Sequence, residues 1–493
     1  DQLNHFYSRF DRDNNTIPVP AACEGADPPF VISEDKLRRD FLRLRERKAA
    51  GPDGVTPRLL RNCAPQLAPV FADIFNRSLQ NCAVPRSFKM ATVIPVPKKK
   101  SITCLNDYRP VALTSVIMKT FERQVLRYLQ SILPEGFDTF QFAYRENRSV
   151  EDAIAICLHE TLQHLEKRGT YVRILFVDYS SAFNTVVPAK LHQKLLSDLK
   201  FPPTICSWVL DFLLGRQQIV KVEQLISSPV ILNTGTPQGC PLSPKLYSIF
   251  TYDCQSQHDS THVLKFADDT TVVGLISNHD EAQYREEVDH LVTWCKANNL
   301  LLNVSKTKEM VIDYRKKANN KEPLLIQGNT VEQVESFKFL GTHLTENLTW
   351  SFNCREIAKK ARQRLYFLRK LKTFGVNQHV LMNFYRAIIE STLTTGIIVW
   401  FGHATQRDLK ILSSIVRSAE KIVGLALPSL QAIYNDRCVK RSKAIIRDTF
   451  HPAHNYFNFL PSKRRLRAFK GNKRFLNSFY PSAVKILNSS QVL

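Results

Sequence analysis

The run Val172-Arg173-Ile174-Leu175-Phe176-Val177 has the length of a strand and stops at Asp178, and about 90 residues later Val263–Phe266 stops at Ala267-Asp268-Asp269 before Thr271-Val272-Val273 resumes. The second and third runs read as a hairpin with the acidic pair at its turn. A buried strand thus delivers one carboxylate and a hairpin two more. Each signal has a plain alternative: an Asp after a strand serves as a loop or cap residue, and Asp-Asp makes a good turn. The surrounding pattern is helical. Ser33 starts a helix with Leu37, Phe41 and Leu44 at helical spacing, and Gly51-Pro52-Asp53-Gly54 ends it in a turn. Further helices are predicted at 65–80, 114–131, 149–167, around 188–214 and at 241–252, with loops between them such as Pro95-Val96-Pro97-Lys98-Lys99-Lys100. Helices alternating around a few strands predict an α+β layer.

The chemistry that needs such carboxylates is phosphoryl or nucleotidyl transfer, in which two divalent ions about 4 Å apart activate the attacking hydroxyl and steady the leaving pyrophosphate. Mg²⁺ takes oxygen ligands and usually only one or two protein carboxylates, so a few Asp at strand ends suffice. The charge balance points to a polyanionic partner: 68 Lys and Arg against 45 Asp and Glu, a net of +23. Of that excess, +20 falls in 351–493, where 26 basic residues face 6 acidic ones, and residues 1–350 carry only +3. The last third is therefore the expected electrostatic footprint. Eleven scattered Cys with no CxxC pair indicate neither a disulfide framework nor a tetrahedral zinc cluster, and a reducing, intracellular setting, nuclear or cytoplasmic, fits best. No apolar run reaches the ~18–20 residues of a membrane span, and no signal peptide opens the chain. The first residue is not Met, which is consistent with a piece of a longer protein.

Around the carboxylates, further segments fall in a fixed order. Asn106-Asp107-Tyr108-Arg109-Pro110-Val111-Ala112-Leu113 is followed by Gln141-Phe142-Ala143-Tyr144-Arg145 and by Phe176-Val177-Asp178-Tyr179-Ser180-Ser181-Ala182-Phe183-Asn184. Then come Gly235-Thr236-Pro237-Gln238-Gly239-Cys240-Pro241-Leu242-Ser243-Pro244, Phe266-Ala267-Asp268-Asp269, Leu300-Leu301-Leu302-Asn303-Val304-Ser305-Lys306-Thr307 and Phe339-Leu340-Gly341. This series of seven, over roughly residues 40–350, resembles the reverse transcriptases of non-LTR (LINE-type) retrotransposons. The resemblance implies a right-hand polymerase of fingers, palm and thumb with a basic, mostly helical C-terminal extension. It divides the chain into a leader and linker at 1–32, fingers and palm at 33–350 with a core at about 78–346, a helical thumb at 351–425 and a basic nucleic-acid-binding segment at 426–493.

Carried over residue by residue, the resemblance implies Asp178 and Asp268 as the principal ligands of two Mg²⁺ ions, with Asp269 beside them, the backbone carbonyl of Val177 adding a ligand, and Mn²⁺ as the alternative metal. Phe183 falls at the aromatic gate against a 2′-hydroxyl, with a core Phe as the alternative. Asn184 stands where many relatives have Asp, a departure that leaves the metal set untouched. Gln238 and Gly239 match the turn near the nascent base pair, and a simple turn before a helix is the alternative. Arg145 matches a finger residue that touches the triphosphate, Arg109 of the first motif joins the substrate-binding set, and a surface salt bridge is the alternative for Arg145. Lys306 matches the Lys proposed to protonate pyrophosphate. The implied partners are an RNA template, a DNA primer or target DNA, and dNTPs, with no membrane.

In the basic third, eight cationic residues between Arg355 and Lys372 face Glu356, with Ala358, Ala361, Leu365 and Leu368 at helical spacing. Lys359, Lys360, Arg362 and Arg364 read as a thumb helix tracking duplex phosphates, or as a solvated face. Residues 463–474 hold seven Lys or Arg, among them Lys463, Arg464, Arg465 and Arg467. Tyr456, Phe457, Phe459, Phe469, Phe475, Phe479 and Tyr480 flank them, which suits single-stranded RNA or, equally, a small core. Cys438, His451 and His454 lack a second Cys at ligand spacing and are not expected to hold zinc. Residues 1–50 cannot be an apurinic-type endonuclease, so synthesis without target cleavage is expected. Two readings compete with the leading one: a catalytically inactive, retrotransposon-derived RNA-binding protein and a group II intron maturase. The segment Leu460-Pro461-Ser462-Lys463-Arg464-Arg465 favours the retrotransposon group over the maturase.

Overall fold

The computed structural model describes residues 1–11, 30–315 and 321–489. Residues 12–29 of the leader and linker expected at 1–32 lie outside them. Two compact units interleave along the chain: one comprises Asp1–Asp138, Tyr179–Cys254 and Thr293–Leu301, the other Thr139–Asp178, Gln255–Val292 and Leu302–Leu493.

In the first unit, Ser33 caps the helix Glu34–Leu42 by accepting the Lys36 N–H (3.4 Å), with Leu37 and Phe41 buried as their spacing predicts. Leu44 falls beyond the helix end. The predicted helices at 65–80 and 114–131 form at Ala64–Gln80 and Val116–Ile132. With Pro203–Leu213 they share an aromatic core, in which Phe75 stacks on Phe121 (centroids 4.2 Å) and Phe121 meets Trp208 edge-on at 5.0 Å. The stretch 188–214 is not one helix: Pro188–Gln193 passes into a widened turn at Lys194–Asp198, and the chain restarts at Pro203. A second difference is the expected loop at 95–100. Pro95 and Pro97 end the strand Ala91–Pro97, antiparallel to Tyr108–Thr114 and parallel to Arg216–Val222. The parallel partner pairs only Ala91–Val93, and Pro95 lies opposite Pro110, so the N–H groups that proline lacks fall where no ladder bond is needed.

The second unit is built on a five-stranded sheet in the order Glu332–Gln333, Lys308–Ile312, Tyr171–Val177, Asp269–Ile276, Thr261–Phe266. Tyr171–Val177 is central and buried at every residue, which explains why its sequence is a continuous apolar run and not an alternating one. Its one charged residue, Arg173, is fully buried and pairs with Glu281 at 3.0 Å. Helix Val150–His164 is buried nearly all round, polar Asp152, His159 and Thr161 included, and packs both on the sheet and against the C-terminal helices. Ser351–Thr373 packs along Gln406–Val423, and Leu430–Arg447 along Phe479–Ser489. Among the described residues no helix is long and apolar enough to cross a membrane, and ten Cys are free thiols.

Candidate active site

Asp178 follows directly on the central strand of the second unit, whose last residue, Val177, lies opposite Thr270. Its backbone is held from both sides: the N–H donates to Thr307 Oγ1 (3.2 Å) and the carbonyl accepts from the Asn303 N–H (2.8 Å). The late motif therefore wraps the Asp178 backbone. It also brings Lys306 Nζ to 3.9 Å from Asp178 Oδ2, with both side chains largely in solvent, an ion pair that contributes little stability.

The predicted hairpin is present. Phe266 pairs with Asp269, leaving Ala267 and Asp268 as a two-residue loop in which Ala267 takes φ +59. Two-residue hairpin turns require positive φ at the first loop position, where a side chain is strained. The strain is held by the buried Gln141, whose Oε1 accepts from the N–H groups of Ala267 (2.9 Å) and Ala143 (3.0 Å) while Nε2 donates to the Ala267 carbonyl (3.3 Å). Only an amide side chain accepts and donates in this way. The sequence places Gln141 in a motif, but its role emerges only from hydrogen bonds to a turn 126 residues away in the chain.

Asp268 and Asp269 remain open to solvent, but the wall behind them removes part of their hydration. That desolvation, together with the charge of Asp178, raises the Asp268 carboxyl; for Asp269, desolvation with both Asp268 and Asp178 pushes it up to about 6. The Tyr144 phenol is raised by burial and by these same two acids. Carboxylates that repel one another and face water have the donor chemistry of a hard-cation site. Among the described residues no three His, Cys, Asp or Glu side chains close into a ready-made metal cage. A folded-state pKa above the ordinary 3.8 means that the metal-free protein holds a proton which the unfolded chain loses between about 3.8 and about 6. Stability without metal should therefore fall as pH rises through that window. Mg²⁺ should raise the melting temperature more at pH 7.5 than at pH 5, and an equal shift at both would refute this account of the acids.

Arg145, also in the second unit, is half-buried in the loop before helix Val150–His164. The other expected substrate-binding residues belong to the first unit. Phe183 is half-buried and stacks on the buried Tyr247 (4.5 Å). Gln238 Nε2 donates to Asn184 Oδ1 at 3.3 Å, which gives Asn184 a use away from the carboxylates. Gly239 takes φ +86 with the Ala112 carbonyl 3.2 Å from where a Cβ would stand, and Arg109 is exposed on its strand.

Lys359, Lys360 and Arg362 are exposed on helix Ser351–Thr373, and Lys359 and Arg362 line a groove of about 350 Å³. Arg364 differs: it is half-buried and donates to the Ile388 carbonyl (2.9 Å), bracing the next helical segment. Lys463, Arg464, Arg465 and Arg467 are exposed. Most of the flanking aromatics are core: Tyr456, Phe469, Phe475 and Tyr480 surround the buried His159 with centroids at 4.3–5.5 Å. Of that set only Phe459 is well exposed, at 42%. Cys438 is buried, and His451 Nδ1 accepts from the Ala453 N–H (3.0 Å).

A buried strand ending on one carboxylate, flanked by a hairpin that carries two, has the form of a polymerase palm. The family model described as reverse transcriptase (RNA-dependent DNA polymerase) matches residues 96–344, and the chain belongs to that family, with its right-hand α+β fold. A second model, described as the N-terminal part of alkylated DNA repair protein alkB homolog 8, matches residues 350–391. The chain is 27% identical over 358 residues to a protein named as the probable RNA-directed DNA polymerase from transposon BS of Drosophila melanogaster, covering 70% of this chain and 39% of that one. To the RNA-directed DNA polymerase from mobile element jockey of the same species it is 25% identical over 393 residues, 76% of this chain and 42% of that one. To the Pol polyprotein from type-1 retrotransposable element R1 of Bradysia coprophila it is 21% identical over 414 residues, 81% and 40% of the two chains. The chain thus spans about two fifths of the length of these relatives.

Proposed function

We propose that this chain is the DNA-synthesising part of a non-LTR retrotransposon protein, extending a primer 3′-hydroxyl with dNTPs on an RNA template. The carrying observation is the trio Asp178, Asp268 and Asp269, placed by a central strand and a strained hairpin and left open to solvent. Divalent ions held there would acidify the attacking hydroxyl and offset the charge of the leaving pyrophosphate. The chain's own groups do the rest. Gln141 and Thr307 keep the acids in register, and Lys306, beside Asp178, is placed to hold a proton for the departing phosphate. By the resemblance, Phe183, stacked on Tyr247, would exclude a 2′-hydroxyl, and Arg109, Arg145 and Gln238 would bind the nucleotide. Primer extension on RNA and DNA templates with Mg²⁺ tests the proposal. Tight RNA binding without extension under any divalent metal would favour the inactive RNA-binding reading instead.

For the nucleic-acid grip, Lys359, Lys360 and Arg362 are three of the exposed cations of the helix Ser351–Thr373, read as the thumb. Replacing all three with Ser should lower the slope of log affinity against log salt for an RNA–DNA duplex by about 2–3, since each phosphate that a cation no longer neutralises takes somewhat less than one unit from the slope. An unchanged slope would assign the helix face to solvent.

A further inference from the structure

The segment Thr234–Leu242 carries Gln238, and its geometry is tightly specified. The Gly235 N–H donates to Val186 (2.7 Å) and the Thr236 N–H to Phe183 (2.8 Å), while a Cβ on Gly235, at φ +77, would stand 2.7 Å from the Asn184 backbone. Two buried charged side chains hold its ends. Where the turn begins, Arg216 Nη2 donates to the carbonyls of Thr234 (2.5 Å) and Gly235 (2.9 Å), with its Nε anchored on the Leu213 carbonyl (2.9 Å). Where it finishes, Glu122 Oε2 accepts from the Leu242 N–H (3.1 Å), the residue before helix Ser243–Phe250.

Arg216 is 7% exposed and Glu122 is fully buried, yet among the described residues no ion pair joins them to each other or to any other charge. Burying an ion is costly unless other groups satisfy it; backbone carbonyls do so for Arg216, while Glu122 is met through Oε2 alone and its Oε1 has no partner among the described residues. Burial pushes the Glu122 carboxyl up to about 7 and the Arg216 guanidinium down to about 10, outweighing the opposing charges of Lys119 and Arg123 on the first and of Asp11 on the second. Both side chains, with Thr236, Pro237 and Gln238, line a cavity of about 60 Å³. On that side the turn adjoins open space as well as packed atoms.

We propose that Arg216 and Glu122 are positioning residues that lock the Thr234–Leu242 turn and so present Gln238 to the incoming nucleotide in a single conformation. This rests on the substrate-binding reading of Gln238. The test combines steady-state extension with amide hydrogen exchange in the full chain. Glu122→Leu and Arg216→Met should raise KM for dNTP about tenfold or more and increase misincorporation, with kcat within about threefold, because a displaced binding group weakens alignment without touching the reacting atoms. Glu122→Gln keeps an oxygen acceptor for the Leu242 N–H and should behave as wild type. Exchange should quicken across 235–242 in the two apolar variants, with strand Tyr171–Val177 still protected. Unchanged KM and unchanged exchange in a folded Glu122→Leu would overturn the proposal. If the apolar variants lose protection throughout the first unit, Arg216→Lys decides: it keeps the charge but lacks a planar fork, and a wild-type KM there also overturns it. If wild type extends no primer, the proposed function fails, while exchange across 235–242 still decides whether the two side chains lock the turn.

Discussion

Asp178→Ala and Asp268→Ala should each abolish RNA-templated extension, lowering the rate by at least about 10³-fold, which corresponds to about 4 kcal/mol of transition-state stabilisation. The effect should reside in chemistry and not in folding. Asp268 is open to solvent and its carboxyl is raised by burial and by Asp178, so removing it relieves repulsion in the metal-free protein. The Asp268→Ala melting temperature without Mg²⁺ should equal or exceed that of wild type, and the Mg²⁺-induced rise should shrink. Asp269→Ala should follow the same pattern, because its carboxyl, pushed up to about 6, answers to the same neighbours. Extension within tenfold of wild type in Asp268→Ala would sink the assignment of these acids.

The largest stability effect is expected at Arg173. Its guanidinium, fully buried in the central strand, donates to Glu281 (3.0 Å) and to the Glu322 carbonyl (2.7 Å) and faces Glu309 at 3.8 Å. Arg173→Met fits an apolar side chain into the strand but leaves Glu309, 2% exposed on its side chain, with the Tyr284 hydroxyl (2.7 Å) in place of a cation. Glu281 retains Arg285 at 2.8 Å, so Glu309 bears most of the damage. Breaking a buried pair in this way costs about 3–5 kcal/mol. Burial already raises the Glu309 carboxyl and Arg173 opposes that rise, so without the Arg this group should take up a proton more readily. The deficit should then be smaller at pH 5 than at pH 8, and Glu309→Gln added to Arg173→Met should recover part of it. Denaturant unfolding of wild type, the two single variants and the double variant at both pH values measures this, and a deficit below about 1 kcal/mol at pH 8 would show that water, not Arg173, satisfies Glu309.

Much of the chemistry was legible in the sequence because it is locally encoded. Strand length, the Asp178 stop, the Ala267-Asp268 turn and the Ser33 cap each depend on residues within a few positions of one another, where backbone preference and side-chain period act directly. The ordered motifs then suggested roles that no local period carries, such as those proposed for Phe183 and Gln238. Where the reading differed, long-range packing decided. Pro95 enters a strand because the parallel partner stops at Val93 and leaves no ladder bond for its missing N–H, and Tyr456 and Tyr480 are core because His159, some 300 residues earlier in the chain, lies among them.

By itself, then, the sequence determined which carboxylates stand at strand ends and that most of the positive charge lies in the last third of the chain. Only the tertiary structure decided what holds those elements in place: Gln141 on the Ala267 turn, Arg216 and Glu122 on the turn that carries Gln238, and two units whose segments alternate along the chain. The reason is physical. A buried polar group must find a partner somewhere in the folded chain, and when that partner lies more than a hundred residues away, as for Gln141 and Glu122, no periodicity in the sequence marks the pair.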